Sequence, residues 1–172
     1  MSPEIWSWRQ AVEIARERLA SRGLKPLAKP TLELETLVFP ESVESFSGIA
    51  LANLSLRYQS WYSYATVELG TLNAERTSFR ELFDIKLGEK MHEMAERSTD
   101  RMTKDVLRAI SIQADTELKT GVRQLIELDQ QACLLEALVK GLEIRCRALE
   151  NEAIRRATAQ KLELAGRSVG GL

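Results

Sequence analysis

The chain has few of the residues that interrupt helices or build reactive centres. Its 172 residues include 4 prolines, 9 glycines, 2 cysteines and 1 histidine. The prolines are Pro3, Pro26, Pro30 and Pro40, so none breaks the long remainder. Cys133 and Cys146 lie on one predicted helix and point about 220° apart, which rules out a bridge within it. With His92 they make no metal-ligand set, and both are expected to be reduced and packed as small hydrophobes. No apolar run approaches a membrane span. The charge is also unbiased: 24 Lys and Arg against 25 Asp and Glu give a formal net charge of −1. No global field therefore draws the protein onto nucleic acid or a membrane, and any nucleic-acid binding must come from local patches. The start, Met1-Ser2-Pro3-Glu4, is acidic where a secretory leader is basic. The expected location is the cytoplasm.

What is present is helical pattern. Leu118, Gly121, Leu125, Leu128, Ala132, Leu135, Val139, Leu142, Cys146, Leu149 and Ala153 alternate at spacings of three and four. Only Gly121 breaks the apolar seam, which belongs to a helix roughly 50 Å long. The stripe is too long for a small domain to cover easily, so partner chains are expected to cover it. Leu118, Leu125, Leu128, Leu135, Val139, Leu142 and Leu149 are the oligomerisation candidates.

Four segments are predicted. Residues 1–23 form an amphipathic helix with Ser2 as cap, Pro3 in its first turn, an Ile5, Trp8, Val12, Ala15, Leu19 stripe and Gly23 at its end. Residues 24–42 are a proline-rich linker with one possible short helix, Leu32 to Leu37. Residues 43–165 are the long-helix body. A first helix runs from Val43 to Arg97, with Gly70 and Gly88 able to divide it. A second starts at Ser98-Thr99-Asp100, with a possible break between Ser111 and Asp115. Residues 166–172 are a frayed tail. No strand pattern survives inspection. The fold class expected is all-α, with long antiparallel helices in coiled-coil packing that assemble into a ring.

Arg97, Arg101, Lys104 and Arg108 are spaced four, three and four apart, which puts four cations on one face of a continuous helix. Such a row follows a phosphate backbone and releases counterions as it binds. The alternative is a solvated face balanced by Glu93, Glu96, Asp100 and Asp105. Arg76 and Arg80 form a further pair at i,i+4. Tyr58, Trp61 and Tyr62 share the apolar stripe and read as core or interface, with Tyr64 the ring expected to be exposed. Catalytic patterns are missing. No Gly-x-x-x-x-Gly-Lys loop occurs, His92 has no activating motif around it, and no Glu-x-x-His pairs suggest a metal site. No catalytic residue, metal or cofactor is assigned.

Three stretches resemble the UvsY family of phage recombination mediators. They are Leu37-Val38-Phe39 with Leu56-Arg57-Tyr58-Gln59-Ser60-Trp61; Glu68-Leu69 with Ala74-Glu75-Arg76; and Val106-Leu107, Ala114-Asp115, Leu118, Leu125, Leu134-Leu135 and Leu142-Glu143-Ile144 with Arg147. The resemblance implies a non-catalytic protein that forms a closed ring of several subunits, about six to eight. It implies binding to single-stranded DNA and help for a RecA-like recombinase in replacing single-strand-binding protein. The setting implied is the host cytoplasm, for a phage-encoded chain. The family's lysine-x-arginine pair is incomplete: with one residue gapped, Arg80 matches its first cation and Leu82 falls at the second. On this reading Arg76, Arg80, Arg97, Arg101, Lys104 and Arg108 contact DNA. Two other readings stand beside it. One is a structural or scaffolding coiled-coil protein with no nucleic-acid role. The other is a regulator that binds a protein partner through its first helix.

Overall fold

The computed structural model describes residues 8–23, 27–31, 33–98 and 102–169. The fold is all-α, with no strand among the described residues. Among the described residues, helix α1 spans Trp8–Ser21, α2 Gly48–Arg97, α3 Lys104–Ala114 and α4 Thr116–Val169, and a 3-10 turn covers Leu34–Thr36. Helices α2 and α4 are long and packed. No helix among the described residues is long and apolar enough to cross a membrane.

The helix ends follow local chemistry. Gly23 adopts φ 84°, and its N–H and that of Arg22 bond back to Ala20 and Leu19, which closes α1. The expected cap Ser2, Pro3, Ile5 and Trp6 lie outside the described residues. Helix α2 starts at Gly48 rather than Val43. Ser47 caps it: its hydroxyl accepts from the Ala50 N–H at 3.2 Å and its carbonyl from the Leu51 N–H at 2.9 Å. Neither Gly70 nor Gly88 divides α2, which is one helix of 50 residues. A glycine costs a helix about 1 kcal/mol, and the covered side chains Leu69, Leu72, Phe83 and Leu87 flank both positions. Packing therefore outweighs propensity.

The following helix does not start at Ser98. Helix α3 begins at Lys104, with Thr103 extended before it; Thr99 and Asp100 lie outside the described residues. The anticipated break falls at Asp115, which is extended (φ −119°, ψ 120°). Its carboxylate Oδ1 accepts from the N–H groups of Glu117 at 2.7 Å and Leu118 at 3.1 Å, so Asp115 ends one helix and caps the next. Helix α4 continues to Val169, through the residues expected as the start of a frayed tail.

The chain folds into two compact units. Unit 1 joins the residues before Leu27 to Glu68–Leu135; unit 2 joins Leu27–Val67 to Glu136 and the residues after it. Within unit 1 the paired stretches of α2 and α4 run antiparallel, since Arg80 meets Asp129 and Lys86 meets Glu117. Within unit 2 they do the same, since Gln59 meets Glu150 and the Phe46 carbonyl meets Arg156.

The core of unit 1 is Phe83, Leu87 and Leu118, with Met91, Ile112, Val122 and Leu125 packed against it. Each such buried side chain contributes roughly 1.5–3 kcal/mol. Gly121, the apparent flaw in the seam, is where the ring of Phe83 lies against the α4 backbone. A Cβ at this position would stand 2.7 Å and 2.9 Å from two Phe83 ring carbons. In unit 2 the buried set is Leu37, Leu51, Tyr58, Trp61, Ala65, Leu142, Cys146 and Leu149.

The expectation that a single chain leaves the seam uncovered does not hold. Leu118, Leu128, Ala132, Leu142, Cys146 and Leu149 are buried by the chain itself, and Leu125, Leu135 and Val139 are half-buried. The seam also ends differently. Glu152 takes the buried position after Leu149, while Ala153 is exposed. The physical reason lies in α2, where the stripe Leu51, Leu54, Tyr58, Trp61, Ala65, Leu69, Leu72, Phe79, Phe83, Leu87, Met91 and Met94 is buried or half-buried, while Leu56, Val67 and Ile85 face away from it and are exposed. The two stripes are internal partners in each unit.

Candidate functional site

The candidate cations of unit 1 fall into two sets. Arg76 and Arg80, one turn apart on α2, both reach Asp129 on α4, at 3.5 Å and 3.2 Å. Arg97, the last residue of α2, pairs with Glu93 at 2.7 Å. Lys90 also bonds Glu93 at 2.7 Å. The Lys90 hydrogen bond, then the charges of Arg97 and Lys90, hold the Glu93 carboxyl below its ordinary range. Lys104 and Arg108 are the second set. They lie one turn apart at the start of α3, exposed, with no ion-pair partner among the described residues. Arg101 lies outside the described residues.

The single four-cation face is therefore not formed as expected. It required one helix from Arg97 to Arg108, whereas α2 ends at Arg97 and α3 starts at Lys104. Only Lys104 and Arg108 share a helix.

Unit 2 gathers the aromatic residues. Tyr58 is fully buried, and its hydroxyl donates to the Leu37 carbonyl at 2.9 Å. Phe39 meets it edge-on at 5.7 Å, and the Arg145 guanidinium sits 5.8 Å from its ring centre. Burial pushes the Tyr58 phenol above its ordinary pKa, against the opposing charge of Arg145. Trp61 is buried as expected, but Tyr64 is half-buried rather than exposed, because its ring stands edge-on to Trp61 at 5.9 Å. Lys29 places its ammonium 6.0 Å from the Trp61 ring centre. Beside these groups, residues 27–31 and residues 56–63 of α2 border an open cleft of about 500 Å³.

At the far end of unit 2 a buried carboxylate organises two arginines. Arg155 and Arg156, three and four residues on, donate to Glu152 at 2.6–3.0 Å. Arg156 also donates to the carbonyls of Phe46, Val43 and Glu44 at 2.6, 2.9 and 3.1 Å. It thus occupies the backbone acceptors just before α2, consistent with a helix that starts at Gly48. The hydrogen bonds from Arg155, then Arg156, hold the Glu152 carboxyl at about 2 against an ordinary 4.5. Because the folded value is depressed, this stabilisation is fully present above pH 4.5 and is lost as pH falls from there through about 2. Urea midpoints of the wild type and Glu152→Gln are expected to differ most at pH 7 and to converge near pH 2. Equal gaps at both pH values would contradict this role.

Both cysteines are free. Cys146 is buried, and burial raises its thiol pKa; Cys133 is exposed, contrary to the expectation that both pack inside. Residue 133 lies one position beyond the buried Ala132, off the seam. His92 lies 3.2 Å from Glu96. Among the described residues no group of three or more His, Cys, Asp or Glu is placed to hold a metal ion.

The sequence pattern did not mark Asp129 as a counter-charge, Glu152 as a buried acid, or the cleft beside Trp61. The spacing of Glu152 to Arg155 and Arg156 did carry a signal for helical ion pairs. Nothing local placed Arg156 on the Val43–Phe46 carbonyls, a contact across more than a hundred residues. Comparison of the chain with models of known protein families, with curated proteins and with solved structures finds no match.

Proposed function

We propose that this chain is a non-catalytic recombination mediator. It self-associates, binds single-stranded DNA, and helps a RecA-like recombinase take the place of single-strand-binding protein. The observation that carries the DNA-binding step is the pair Lys104 and Arg108. These adjacent, exposed cations have no acidic partner among the described residues, whereas Arg76, Arg80 and Arg97 are already paired. Free cations release counterions from a phosphate chain, and paired ones must first give up a carboxylate. The roles toward the recombinase and its competitor rest on the family resemblance. Self-association multiplies a weak patch, and linked contacts gain avidity through effective concentration.

Lys104→Ala with Arg108→Ala is expected to weaken binding of a labelled thymidine oligomer. Its salt slope should fall by about 1.4, at roughly 0.7 per phosphate contact on single strands. An unchanged slope in anisotropy titrations would remove α3 from the interface.

Because the seam is covered within the chain, self-association calls for a different surface. Leu134 is 74% exposed, while its neighbour Leu135 is half-buried in the seam. Leu134→Asp is expected to lower the solution mass measured by light scattering while leaving the thermal transition in place. Leu135→Asp is expected to lower the melting temperature instead, because it puts a charge into a packed face. A monomeric wild-type protein at micromolar concentration would end the ring proposal.

The scaffolding reading has its own support. Asp129 and Glu93 form ion pairs with three of the six candidate cations, which is how a solvated, ion-paired helix surface is built. Failure of the wild type to bind the oligomer at low salt, with self-association intact, would select that reading.

A further inference from the structure

The unit 2 cleft joins three properties. Its volume, about 500 Å³, lies within the range of small-ligand sites. Its apolar wall is made by Leu27, Pro30, Leu56 and Trp61. Its described lining contains no acidic residue, although Asp and Glu outnumber Lys and Arg in the whole chain. Arg57 lines it, exposed and with no ion-pair partner among the described residues. Lys29 falls between the lining residues Ala28 and Pro30, with its ammonium 6.0 Å from the Trp61 ring centroid and no ion-pair partner among the described residues. An apolar slot with two uncompensated cations suits a flat, weakly polar ring joined to an anion.

We propose that this cleft is a nucleotide pocket for single-stranded nucleic acid, in which one base enters against the apolar wall and Arg57 and Lys29 hold the adjoining phosphates. The inference rests on the reading of the chain as a single-strand binder and gives that binding a second, base-accepting site. A duplex does not fit this role, because its bases are paired and stacked and cannot turn into a side cleft without being extruded. Trp61 is 7% exposed, so it forms the wall of the slot rather than an open stacking platform. An acidic peptide would satisfy the two cations but leave the apolar wall unfilled.

Anisotropy titrations on the full chain test this, using a labelled thymidine oligomer and an abasic oligomer of equal length. Lys29→Ala with Arg57→Ala is expected to weaken thymidine binding roughly tenfold or more and to lower the salt slope by about 1.4. Ser63→Trp, which fills the cleft and keeps both cations, is expected to weaken thymidine binding to a similar extent while leaving abasic binding unchanged. Far-ultraviolet circular dichroism checks that each variant keeps its helices. If the wild type binds both oligomers equally, or if polyglutamate of matched charge displaces the thymidine oligomer as well as unlabelled oligomer does, the base pocket is overturned. If the cleft variants bind like wild type while Lys104→Ala with Arg108→Ala weakens binding, the cleft falls and the α3 interface stands. If the wild type binds no oligomer, both fall.

Discussion

Replacing Gly121 by leucine is expected to cost about 3 kcal/mol of stability and to lower the melting temperature by several degrees. The cause is steric. The α4 backbone at Gly121 is in contact range of the Phe83 ring, and even a single added carbon would stand 2.7 Å from it. Phe83 is buried among Leu87 and Leu118, so the ring cannot swing into solvent. Gly121→Ala separates the two opposing effects. Alanine gains about 1 kcal/mol of helix propensity over glycine, and at an open site such as Gly70 or Gly88 that gain should appear as added stability. At Gly121 it is expected to be reversed, because the ring must move. Phe83→Leu together with Gly121→Ala should recover more stability than the two single changes add up to, which is the signature of a shared contact. A Gly121→Ala variant that melts higher than the wild type would show that the ring yields at little cost.

Tyr58→Ala is expected to have the larger effect, about 4 kcal/mol, because three interactions are lost at one fully buried position. The ring fills the core of unit 2, the hydroxyl pairs the buried Leu37 carbonyl at 2.9 Å, and the ring face receives the Arg145 guanidinium. Tyr58→Phe isolates the hydroxyl. It keeps the volume and leaves the Leu37 carbonyl without its partner, for about 1–2 kcal/mol. The hydrogen bond ties the segment before α2 to the helix itself, twenty-one residues on in the chain. Tyr58→Phe is therefore also expected to speed amide exchange around Leu37 more than around α3. Exchange rising equally in both places would mean that the bond supports global stability alone. Urea denaturation of the three proteins ranks the terms, and a Phe variant as unstable as the Ala variant would contradict the assignment.

The charge distribution limits which surfaces can recruit an anion. Of the cations named from sequence, Arg76 and Arg80 share the single carboxylate of Asp129, and Arg97 shares that of Glu93 with Lys90. Exposed pairs of this kind contribute little to stability, in the range of about 0–1 kcal/mol, but they do lower the local positive potential. Lys104, Arg108, Lys29 and Arg57 lack such partners among the described residues.

Much of the architecture was legible in the residues alone. The all-α class, the apolar periodicity of α2 and α4, the closing Gly23 and the interruption at Asp115 are local properties. They depend on side-chain period, on a glycine that accepts positive φ, and on a carboxylate within reach of the next helix's first N–H groups. Other features depend on what lies opposite. The seam from Leu118 to Leu149 has the pattern of an oligomer contact, yet the apolar stripe of α2 covers it, and periodicity does not distinguish a partner helix in the same chain from one in another. Gly121 reads as a defect until Phe83 is brought to it. Arg76 and Arg80 read as free cations until Asp129, about fifty residues away in sequence, arrives from α4. Arg156 reads as no more than a helical partner of Glu152 until the Val43 and Phe46 carbonyls, more than a hundred residues away, receive it. The short-range pattern settled where helices form and stop, because backbone hydrogen bonding and capping act within a few residues. Only tertiary packing decided which face is covered and which charge is spent, because burial and ion pairing depend on groups that the chain brings together from far apart.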